Sequence, residues 1–104
     1  MEKCYRRKEL LMLNKMPTDR VINLTYSRHS LSRLGERYTG SLDVVPKFVR
    51  CSEKNIDSAY YIEEKLKKIV VRLDYSETKW LYLVIVDGYF VKTLWWRDKK
   101  LKKC

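Results

Sequence analysis

Histidine, proline and glycine are scarce in this chain: one, two and three residues among 104. A lone His29 beside Cys4, Cys51 and Cys104, with no CxxC pair, supplies no zinc-ligand set, so neither a metal site nor a cofactor is expected. Three cysteines cannot all be paired, which favours a reducing compartment over a disulfide framework. No stretch approaches the roughly 20 apolar residues of a membrane span. The charged opening MEKCYRRKEL leads into no apolar run of the kind that directs export. A soluble, cytoplasmic protein without a membrane partner is expected. Repeats and low-complexity linkers are also missing, so the expected organisation is one α+β domain over 19–98. A basic amino-terminal helix or arm (1–18) and a basic tail (99–104) flank it.

Negative charge is the other deficit. Thirteen acidic residues face 23 lysines and arginines, a formal charge of +10. Much of the excess sits near the ends, at Lys3, Arg6, Arg7 and Lys8, then at Arg97, Lys99, Lys100, Lys102 and Lys103. Polyanions are the natural partner for such a balance, although charged tails also serve solubility alone. Tyr5, Tyr26, Tyr38, Tyr60, Tyr61, Tyr82, Tyr89 and three tryptophans add rings on which bases can stack, while a small domain also spends most of its aromatics on its core.

Residues 3–15 are helix-prone up to Pro17. The segment VINLTY (21–26) reads as a short strand, and Ser27 is a good N-cap for a helix to about Arg37, with Leu31, Leu34 and Tyr38 as its buried stripe. Asp43 could open a second helix, with Pro46 in its first turns and Phe48 and Val49 facing inward. Residues 59–68 fit a strand or a helix. From Ile69 the pattern has period two: Ile69, Val71, Leu73 and Tyr75 alternate with Val70, Arg72 and Asp74, and Trp80–Val86 is nearly all apolar. Asp87-Gly88 between LYLVIV and YFVKTLWW is a strong type I′ hairpin signal. The expected fold is α+β: two short helices packed on a twisted antiparallel sheet of three to four strands.

Four-residue steps place His29, Arg33 and Arg37 on one stripe of the first of these helices. Two arginines at that spacing repel unless an anion or carboxylate lies between them, so the stripe suits phosphate. Arg28 and Arg97 are further candidates for phosphate contacts.

The order of Ser27, His29, Arg33, Glu36 and Arg37 on a helix, then Val91, Thr93 and Trp95 on a final strand, resembles small bacterial and phage domains. These are grouped with RelE-like and colicin-type ribonuclease toxins. The resemblance spans about residues 21–97 and does not reach the amino-terminal arm or the LKKC tail. It implies a metal-independent endoribonuclease of that fold, with His29, Arg33, Arg37 and Thr93 around the scissile phosphate. It also raises the prospect of an acidic antitoxin or host protein as partner.

Metal-free RNA cleavage needs a base for the 2′-hydroxyl, an acid for the leaving oxygen and cations for the phosphorane charge. A histidine can act as base or acid, and arginines can fork onto nonbridging oxygens. The same residues also fit a protein that grips nucleic acid or a host protein without cutting. In that reading His29 is a surface hydrogen-bonding residue, the arginines pair with Glu36 or other carboxylates, and Thr93 is an ordinary strand former.

Overall fold

The computed structural model describes residues 2–37 and 46–100. Its elements in chain order are β1 (Glu2–Arg6), α1 (Arg7–Met12), β2 (Val21–Asn23), β3 (Thr25–Tyr26), α2 (Arg28–Arg37), β4 (Phe48–Arg50), β5 (Ile56–Ile62), β6 (Lys65–Asp74), β7 (Lys79–Val86) and β8 (Phe90–Asp98). Six strands form one mixed sheet in the order β1-β5-β6-β7-β8-β3, and β2 pairs with β4 in a separate ribbon. All neighbours are antiparallel except β3 and β8.

The alternation from Ile69 and the apolar run from Trp80 do form neighbouring strands, and the chain turns at Asp87 (φ 55°) and Gly88 (φ 84°). Positive φ at both central residues is the type I′ geometry whose twist matches the flanking strands. The expectation of two helices on a three- to four-stranded antiparallel sheet of RelE-like type is corrected: the domain is mostly sheet, six strands wide and mixed. Three segments make the difference. The expected amino-terminal arm enters as β1, antiparallel to β5 from Glu2↔Ile62 to Arg6↔Ser58. Residues 59–68 take the strand option on both sides of a reversal: 59–62 end β5 and 65–68 begin β6, with Glu63 and Glu64 between them at positive φ (50° and 67°). Thr25 and Tyr26 run parallel to β8 as the far edge.

One face of the sheet carries the main core. Tyr5, Ala59, Ile69, Val71, Leu81, Leu83, Ile85, Val91 and Leu94 pack there against Leu10 of α1, Leu34 of α2, and Ile22 and Val49 of the ribbon. The second helix expected from Asp43 begins outside the described residues. Where it would continue, Phe48–Arg50 is strand β4, with Phe48 exposed and only Val49 buried.

Helix α2 opens as expected at Ser27, whose Oγ accepts the Ser30 amide at 3.0 Å. Leu34 is buried as expected, but its neighbour on the inward stripe is the fully buried Ser30, while Leu31 is 46% exposed. The reason is a bulge in β8, where Val84 faces Thr93 but Ile85 faces Val91, leaving Lys92 as the extra residue. Ser30 Oγ donates to Val91 O at 2.9 Å and Ser27 Oγ to Lys92 O at 3.2 Å, so two hydroxyls dock the helix on the bulged carbonyls. That rotation turns Ser30 and Leu34, one helical turn apart, toward the sheet. Tyr38, the third expected stripe residue, lies outside the described residues.

Candidate nucleic-acid interface

Along β6, β7 and β8 the residues that alternate with the core point to the other side of the sheet. Register groups them in rows. Arg72 faces Tyr82, which faces Trp95; Trp80 faces Arg97; Val70 faces Val84, which faces Thr93. The second apolar cluster of the domain consists of these side chains alone: Val70, Tyr82 and Val84, with Trp80, Val86 and Trp95 packed against them. Among the described residues no helix and no second sheet contributes to it.

The rings on this face are already ordered. Tyr82 and Trp95 stack with centroids 5.3 Å apart and planes 4° from parallel. The Arg97 guanidinium lies 5.3 Å from the Tyr82 ring centre, and that of Arg72 only 4.2 Å from the centre of Trp80. Lys99 Nζ is 4.4 Å from the same indole, and Lys68 Nζ is 5.2 Å from Tyr60 on the next strands. Each contact holds a cation over a π face by the ring quadrupole. A guanidinium so placed offers its own plane as the next layer of a stack, so a base can lie on arginine as readily as on an exposed ring. Arg72, Trp80, Tyr82, Arg97 and Lys99 border a shallow groove of about 510 Å³. Two carboxylates, Glu77 and Asp98, also border the groove; Asp98 is paired with Lys79, and Asp74 nearby with Lys99.

The residues expected around a scissile phosphate do not meet on this surface. His29 and Arg33 are exposed on α2, which packs through Leu34 on the main-core face, and Arg28 is exposed beside them. Thr93 is on β8 in register with Val84, on the other side of the sheet. Arg37 ends α2, and its side chain lies outside the described residues. Of the described side chains expected to contact nucleic acid, Arg28, Arg33 and Arg97, Arg97 alone stands on the sheet face opposite the main core.

The sequence reading missed Lys68, Arg72 and Lys99 as site residues, and it left Tyr60, Trp80, Tyr82 and Trp95 undivided among the aromatics. A signal for them existed. In a strand whose odd positions are Val, Ile or Leu, rings and cations at the even positions mark a face meant to meet something other than the core. Among the described residues no three His, Cys, Asp or Glu side chains are grouped to hold a metal ion, and no helix is long and apolar enough to cross a membrane. No family model, no curated protein and no solved structure matches the chain.

Proposed function

We propose that the protein binds single-stranded RNA on the face of its six-stranded sheet opposite the main core, bases stacking on the half-buried Trp95, which the buried Tyr82 supports from beneath, and on the Trp80–Arg72 layer. The carrying observation is the pre-stacked aromatic pair flanked by guanidinium groups on a sheet face that no described element covers. Unpaired bases expose their π faces and a duplex does not, so this chemistry selects single strands. The charge of +10 adds a sequence-independent attraction to phosphate. Strand cleavage is not part of the proposal, because His29 and Thr93 occupy opposite sides of the sheet.

Fluorescence anisotropy with a labelled oligouridylate and a matched RNA duplex tests this reading. Single-strand binding should be the tighter and should fall steeply with salt. Trp95→Ala should weaken it about tenfold or more, since a base–aromatic stack contributes about 1–3 kcal/mol. Arg28→Gln with Arg33→Gln should cost no more than about threefold, the general effect of two lost charges. A larger loss in the helix pair than in Trp95→Ala would move the site to α2. Gels of the same mixtures in EDTA, with His29→Ala alongside, show whether bound RNA is also cut.

A further inference from the structure

The amino-terminal segment carries charge that the aromatic groove does not use. Arg6 at the end of β1 and Arg7 and Lys8 at the start of α1 line a cavity of about 770 Å³, together with Arg97 from β8. In the strand order β1-β5-β6-β7-β8, Arg6 and Arg97 are four strands apart, at least about 19 Å in a flat sheet. They border one cavity because the sheet twists and curls around its open face.

The ion pairing of the molecule sets this cluster apart. Among the described residues, Lys15 pairs with Glu64, Lys79 with Asp98 and Lys99 with Asp74. None of Arg6, Arg7, Lys8 or Arg97 is in an ion pair with a described carboxylate. Two carboxylates do border the cavity, Glu9 and Asp57, but Glu9 accepts the Arg6 amide at 3.4 Å as part of the helix cap. Four cations against two carboxylates leave the concavity net positive, and none of the four is held by a described carboxylate in an ion pair, so an anion is attracted into it. Arg7 spends one N–H on Ile56 O at 3.4 Å, and the remaining guanidinium donors with the Lys8 ammonium suit the several acceptor oxygens of a phosphate.

We propose that this cavity is a phosphate-binding subsite, which, resting on the reading of the sheet face as an RNA platform, receives the backbone of the strand whose bases lie on Trp95 and Trp80. Arg97 joins the two parts, because it stands over Tyr82 and lines the cavity as well. The amino-terminal strand is then half of the binding surface and not an appendage to it. The phosphate comes either from internal diesters or from a terminal monoester.

The test uses the full chain and the double variant Arg6→Gln/Lys8→Gln, two exposed side chains whose loss leaves the core intact. Titration with pyrophosphate alone, followed by amide chemical shifts, should perturb residues 6–8, 57–58 and the Arg97 side chain, and the double variant should abolish those shifts. With oligouridylates the double variant should lower the slope of log affinity against log salt by about one to two, whereas Trp95→Ala should lower affinity with the slope unchanged. Equal affinity for 5′-hydroxyl and 5′-phosphate oligomers assigns internal diesters. A preference for the 5′-phosphate that the double variant loses assigns the chain end. An unchanged slope in the double variant, with Trp95→Ala still weakening binding, overturns the subsite and leaves the sheet-face reading standing. Pyrophosphate shifts at the cavity without oligomer binding do the reverse.

Discussion

Single side chains show how strongly context sets chemistry here. The Tyr26 hydroxyl donates to Pro46 O at 2.6 Å, and burial pushes its phenol up to about 12 from an ordinary 10. Between those values the unfolded chain has lost the proton that the folded chain keeps. The contribution to stability is therefore intact below pH 10 and drains away as pH rises toward 12. Tyr26→Phe should flatten the alkaline limb of a stability–pH curve and remove the last step of an ultraviolet phenolate titration. Burial raises the Tyr61 phenol as well, so the curve should not become wholly flat. Ser30 is a second case, a fully buried polar residue whose hydroxyl meets both Val91 O and, at 2.8 Å, Ser27 Oγ. Ser30→Ala removes one of two donors to Val91 O, which keeps the Ser27 amide at 3.2 Å, and should cost about 1 kcal/mol in denaturant unfolding. Ser27→Ala removes the helix cap for about 1 kcal/mol. Because the two oxygens touch, the double variant should cost less than the sum.

Among the elements, the two hairpin turns differ in how visible they were. Asp87-Gly88 has the residue types that a type I′ turn demands, and the turn was legible from that dipeptide. Glu63-Glu64 makes a turn of the same hand with two residues that pay for positive φ, which is why 59–68 stayed ambiguous in the sequence. Tertiary contacts hold it. Lys15 Nζ lies 2.5 Å from Glu64 Oε2, and Tyr61 Oη donates to Lys15 O at 2.9 Å, tying the turn to the segment after α1. That pairing raises the Lys15 ammonium and lowers the Glu64 carboxyl from their ordinary values. Glu63→Asn relieves the backbone while keeping Glu64, and should raise unfolding stability by about 0.5–1 kcal/mol with the slope against denaturant unchanged. The N-cap of α2 was legible for the same local reason as the Asp-Gly turn. Its rotation was not, because the carbonyls that draw Ser30 inward belong to a bulge some sixty residues further along the chain.

At the scale of the molecule, α1, α2 and the β2–β4 ribbon pack on one face of the sheet, and the proposed binding surface is the other. The tests above separate that face from the α2 stripe and the aromatic groove from the amino-terminal cavity. What the sequence determined by itself was local or global in a simple way. The period-two pattern built the β6–β8 meander and Ser27 started the helix, since each depends only on neighbours, and the excess of lysine and arginine is a property of the total. Alternation also announced that β6, β7 and β8 have two unlike faces. It could not say which would be covered, because that depends on where α1, α2 and the β2–β4 ribbon dock, and docking is decided by contacts far apart in the chain. The stripe of His29 and Arg33 was real as helical geometry, yet its distance from Thr93 was set by the side of the sheet on which α2 landed. The tertiary structure alone decided that β1 joins β5 and that Arg6 and Arg97 share a cavity. Strand pairing uses backbone groups that every residue carries, and so it leaves little mark on side-chain pattern.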